Sequence, residues 1–101
     1  NEYLRDRLLR KISEYQTEIE TLKSGYDLNN QKISALEDKN RQLEDGKKYQ
    51  TAEEIEETNR EIQSNKNQLE ALNTEQENNL TDQAEYEQRI IKTQEQADDL
   101  I

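Results

Sequence analysis

The sequence predicts an all-α protein, a long parallel, in-register dimeric coiled coil, and three observations carry that expectation. Apolar residues recur at alternating intervals of four and three, without a slip, over positions 8–43. No proline occurs in the 101 residues, which permits uninterrupted helix, because proline removes a backbone donor and costs about 3 kcal/mol inside one. Only 29% of the residues are apolar against 38% charged, too few for a globular core, yet the apolar positions are periodic and argue against simple disorder. A repeat averaging about 3.5 residues makes a narrow apolar seam that only a similar helix can bury.

The first element covers 1–45. Ile12, Ile19, Tyr26, Ile33 and Asn40 take the a positions, and Leu8, Tyr15, Leu22, Asn29, Leu36 and Leu43 take d. β-Branched residues at a with Leu at d favour two parallel strands, and a buried Asn at a favours the same state by pairing with its own copy. In a parallel pair the flanking charges bring Glu18 to Lys23, Lys32 to Glu37 and Lys39 to Glu44, all attractive. Such pairs set orientation more than stability, at a few tenths of a kcal/mol each.

A register break follows over 46–54. Continuing from Asn40 would place Lys47 and Glu54 at a, whereas the pattern resumes from Ile55, as if one residue had been added. Gly46 lies here, and a glycine costs about 1 kcal/mol in a helix. Thr51 with Glu54 also spells a capping box, a helix start.

The third element, 55–101, is a weaker, acidic coil with a polar core. Its a set is Ile55, Ile62, Leu69, Gln76, Gln83, Ile90 and Ala97, and its d set is Thr58, Asn65, Leu72, Asn79, Tyr86, Thr93 and Leu100. Leu80, Ala84, Ile91 and Ile101 stand off the seam, either as a sloppy seam or as a shallow groove for a third helix.

Gly46 could also turn the chain into an antiparallel helical hairpin. Setting Leu43 against Ile55 matches Asn40 with Thr58, Leu36 with Ile62 and Leu8 with Ile90. It also opposes Ile33 to Asn65, Asn29 to Leu69, Leu22 to Gln76, Ile19 to Asn79 and Tyr15 to Gln83. Since an unsatisfied buried polar group costs about 1–3 kcal/mol, these mismatches weigh against the hairpin and for the straight rod.

Charge divides along the chain. Residues 1–50 hold ten Lys/Arg and ten Asp/Glu, and 51–101 hold four against fourteen, so the net charge of −10 lies in the second half. An acidic rod repels nucleic acid and anionic membranes and attracts basic partners, although a solvated face is the plainer reading. No run reads as a signal peptide or a membrane span, and membrane insertion by this segment is not expected. The opening at Asn1 and the close on Ile101 suggest a piece cut from a longer coil.

Catalysis has little to work with. The sequence holds no His or Cys, no glycine-rich phosphate loop and no zinc ligand set, so no enzyme, metal or cofactor is expected. Carboxylate pairs such as Glu53 with Glu54 and Asp98 with Asp99 read as solvated faces. Tyr15, Tyr26 and Tyr86 fall on the seam, where a wide ring splays the helices, while Tyr3 and Tyr49 lie outside it. Tyr15, Tyr26, Asn29 and Asn30, with Leu80 and Ile91 on the flank, are the candidate binding residues. The expected core is Leu8, Ile12, Ile19, Leu22, Ile33, Leu36, Asn40, Leu43, Ile55, Ile62, Leu69, Leu72, Tyr86 and Ile90.

The run Leu36-Glu-Asp-Lys-Asn-Arg-Gln-Leu43, followed by Gly46-Lys-Lys-Tyr-Gln50, resembles the variable amino-terminal coils of streptococcal M and M-like surface proteins. The resemblance covers about fifteen residues, and the rest is shared style. It implies a parallel homodimer anchored to a bacterial cell wall, which captures host plasma proteins or cationic peptides in immune evasion. The family's repeats and wall-anchor motif do not occur in this stretch, and no binding residue is carried over. A binding rod of this kind and a structural spacer or dimeriser of an intracellular scaffold are the two function classes that remain.

Overall fold

The computed structural model describes residues 2–100 and consists of two helices, α1 (Glu2–Gly46) and α2 (Ala52–Asp98), joined by a single 3-10 turn at Lys47–Tyr49. Among the described residues there is no strand. Every a and d position that falls within them is buried or half-buried, on both sides of the register break. Elsewhere only Arg5, Leu9, Gly25 and the turn residues Gly46, Lys47 and Gln50 are less than exposed. The all-α, coiled-coil character follows directly from that seam.

The chain does not run straight through the break. It reverses over 47–51 and pairs its own two helices antiparallel, so the expected straight rod with parallel strands gives way to the hairpin. The turn is built from local hydrogen bonds. Gln50 is extended (φ −108°, ψ 155°), and its N–H donates to the Lys47 carbonyl at 3.1 Å. Thr51 and Glu54 form the capping box: the Glu54 N–H donates to Thr51 Oγ1 at 3.3 Å and the Thr51 N–H to Glu54 Oε1 at 3.1 Å. Gly46 is ordinary right-handed helix (φ −70°, ψ −21°), and a Cβ there would meet nothing within 4 Å. The reversal therefore depends on Gln50 and Thr51 and not on glycine's conformational freedom.

Two compact units make up the chain, each an antiparallel pair of segments. One is Asp27–Gln76, which contains the turn; the other joins the residues up to Tyr26 with those from Glu77 onward. In the turn-bearing unit, Asn65 Nδ2 donates to Asn40 Oδ1 at 2.8 Å, Gln76 Nε2 to Asn30 Oδ1 at 2.9 Å and Asn29 Nδ2 to Glu75 Oε2 at 3.1 Å. In the other unit, Asn79 Nδ2 donates to the Leu22 carbonyl at 2.8 Å, and the Tyr15 and Tyr86 rings lie 5.8 Å apart at 42°.

These contacts correct the hairpin register as well. Asn40 meets Asn65 and not Thr58, one heptad further along α2. Stepping from that pair at helical spacing sets Leu36 level with Leu69, Ile33 with Leu72 and Asn29 with Gln76. The displaced heptad is used at the turn: Thr58 is buried, and its Oγ1 donates to Gln50 Oε1 at 2.8 Å. Of the layers that looked mismatched, Ile33 now lies level with Leu72, Asn29 with Gln76, Ile19 with Tyr86 and Tyr15 with Ile90, while Leu22 still lies level with an amide, Gln83. A buried amide that meets another amide forgoes the desolvation penalty that weighed against the hairpin.

Threonines on the exposed faces fit the helices by donating to the carbonyl four residues earlier, as Thr17, Thr21, Thr74 and Thr81 do at 3.1 Å.

Candidate functional site

The candidate binding residues separate into an inner and an outer group. Tyr15, Tyr26 and Asn29 are half-buried on the seam. Tyr15 packs on Tyr86, which also carries the Arg89 guanidinium 5.0 Å from its ring centroid. Asn29 is bonded to Glu75, and Asn30, exposed beside it, accepts from Gln76. These polar and aromatic layers hold one helix to the other, and the structure gives each of those partners within the same chain.

The outer group is Leu80 and Ile91, which are 51% and 50% exposed on α2, with Ala84 exposed between them. All three lie on one helical face, since they are spaced by four and seven residues. Beside them a shallow depression is lined by Thr81, Ala84, Glu85, Gln88, Arg89 and Lys92. Ile101, the fourth member of that flank, lies outside the described residues. A second depression, between the helices of the turn-bearing unit, is lined by Lys32, Ala35, Leu36, Gln68, Ala71 and Leu72.

Exposed charge dominates the remaining surface. Lys39 Nζ stands 3.5 Å from Glu61 Oε1 across the helices, where the sequence had matched it with Glu44 of another copy. Glu44 instead pairs with Lys47 at 2.9 Å, and Arg41 with Asp38. Solvent-exposed pairs of this kind contribute at most about 1 kcal/mol. Glu54 is the carboxylate whose environment is altered: the Thr51 backbone N–H, then the Thr51 side chain, hold its pKa below the ordinary value. The same bonds cap the start of α2.

Among the described residues no group of side chains is gathered closely enough to hold a metal ion, and no helix is long and apolar enough to cross a membrane. Sequence reasoning missed the contact from Asn79 to the Leu22 carbonyl, because a backbone acceptor leaves no mark in a side-chain pattern. It also missed Arg89 over Tyr86, which the three-residue spacing on one helix could have signalled. No family model matches the chain, and no curated protein or solved structure matches it.

Proposed function

We propose that this chain is a non-catalytic structural module, a coiled-coil hairpin whose work is to hold a defined helical spacing. The observation that supports it most is the buried hydrogen bond between Asn40 and Asn65. It closes the seam within one chain, so the apolar stripe that would recruit another protein is already occupied. A buried polar pair of this kind fixes which residues face each other, and register is what a spacer has to keep.

A second reading is favoured by one surface observation. Leu80 and Ile91 are exposed on a helix whose half of the sequence carries the whole net negative charge. An apolar stripe in an acidic setting suits a basic amphipathic partner, as capture of plasma proteins or cationic peptides at a bacterial surface would require. The resemblance to M-like coils points to the same activity and to the same extracellular location.

Titrating the purified chain with a synthetic Lys-rich amphipathic peptide at physiological salt separates the two readings. The structural reading expects no saturable binding. Saturable binding that Leu80→Lys with Ile91→Lys abolishes would overturn it and favour the capture surface.

A further inference from the structure

The turn is conformationally close to a continuous helix. Gly46 is already helical, Lys47–Tyr49 form a 3-10 turn, and only Gln50 and Thr51 lie outside the helices between α1 and α2, the Thr51 carbonyl already accepting a helical bond from the Ile55 N–H. No described residue has a positive φ, and the sequence has no proline to forbid a straight path. The tip of the turn is open: Tyr49 is 84% exposed, and Lys48 lies at the surface with its ammonium 5.3 Å from the Tyr49 ring. Rotating Gln50 and Thr51 to helical values would carry α1 directly into α2.

The pairing is also centred on this break. Asn40 and Asn65 stand at equal sequence distance on either side of the bond between Ala52 and Glu53, and Asn30 and Gln76 do so to within a residue. Two straightened chains laid antiparallel about a two-fold axis at that bond, with the one-residue shift between the seams taken up by local unwinding over 46–54, would therefore remake the contacts of α1 with α2 between copies, and only the Gln50 to Thr58 bond at the turn would be lost. Asn40 of each would meet Asn65 of the other, and Lys39 would again lie beside Glu61. The capping-box bonds at Thr51 would be replaced by helical backbone bonds over the same residues.

We infer that the chain forms an exchanged dimer with a second copy of itself, in which each straightened chain supplies its α1 to the other's α2. Exchange of identical elements is a low-cost route to dimers, because the interface already exists within the monomer. Concentration selects between the forms: the hairpin dominates when dilute and the exchanged dimer when concentrated. This holds for a spacer and for a capture surface alike.

The test uses equal amounts of isotope-labelled and unlabelled chain, unfolded together, refolded at high concentration and cross-linked with a carbodiimide that joins amines to carboxylates. Hairpins give the Lys39 to Glu61 cross-link within one isotope only, which also serves as the folding control. Exchanged dimers give the same cross-link between light and heavy chains. Sedimentation should show the mass doubling in parallel, and Gln50→Ala with Thr51→Ala, which removes the turn's two side-chain acceptors for Thr58 and for the Glu54 N–H, should lower the dimer Kd about tenfold or more. A monomeric mass in that variant at millimolar concentration would overturn the inference. So would a dimer whose mixed cross-links join Lys39 to Glu44, the signature of parallel strands, or one without mixed Lys39 to Glu61 cross-links.

Discussion

Replacing Asn40 and Asn65 singly and together tests whether their hydrogen bond holds the register. Both side chains are buried, and the bond between them measures 2.8 Å. Asn40→Ala removes the acceptor and leaves the Asn65 amide in a dry seam, a loss of about 1–3 kcal/mol. Asn65→Ala should destabilise by a similar amount, for the mirrored reason. The double alanine variant removes both polar groups, so its loss should fall short of the sum by about 1 kcal/mol or more. Urea unfolding followed by far-ultraviolet circular dichroism gives all four stabilities. Additivity of the two single losses to within about 0.5 kcal/mol would mean that the two residues do not interact, and the register argument would fail with it. A complementary variant, Asn40→Leu with Asn65→Leu, should be more stable by about 2 kcal/mol or more, since it buries two apolar side chains where a polar pair stood. Its register should loosen, because the frame one heptad shorter would then oppose Ile33 to an introduced leucine and no longer to an amide. Disulfide trapping of Leu36→Cys with Leu69→Cys, against Leu36→Cys with Ile62→Cys, reads out which frame is populated.

Further outcomes follow from the turn, the glycines and the pairing. Thr51→Ala should cost about 1 kcal/mol through loss of the cap, measured by thermal or urea unfolding. Because the Glu54 pKa is lowered on folding, its contribution is full above the ordinary carboxylate range and is lost as pH falls through the depressed folded value. Glu54→Gln should remove that part of the acid sensitivity, seen as a flatter stability curve below the ordinary carboxylate range. Gly46→Ala should stabilise by about 0.5–1 kcal/mol, since the backbone is helical there and the added Cβ meets open space. Gly25→Ala should do likewise, its Cβ coming no nearer than 3.8 Å to Asn79 Nδ2; a loss at either site would contradict the helical geometry. Hydrogen exchange should protect facing stretches of α1 and α2 alike, because each opens only with its partner; a uniformly weaker α2 would count against the hairpin.

Much of the fold was legible in the sequence. The heptad positions of both halves are the buried and half-buried ones, and the capping box at Thr51 forms where spacing put it. The direction of pairing was not legible, for a physical reason. Spacing alone sets the first hairpin layer at Leu43 and Ile55, as though the turn needed no core of its own. In fact Gln50 folds back on Thr58, and the helices begin to face each other one heptad later. That displacement changes every opposition in the seam, turning Ile33 against Asn65 into Ile33 against Leu72. Periodicity reports which residues face inward, but the residue each one faces depends on how many the turn consumes. The inner candidates look like splayed layers only while their partners across the seam are left out. Tyr15 has Tyr86, and Asn29 has Glu75.

The bond from Asn79 to the Leu22 carbonyl has a consequence for how this protein can vary. Its acceptor belongs to the main chain, so any residue at 22 that preserves the helix also preserves the acceptor. Only the donor is specified by the genetic message. A survey of substitutions would therefore find position 22 free to drift among apolar side chains while position 79 stays intolerant, with no covariation to reveal that the two touch. Alignment of the helices at this point is written in one codon only.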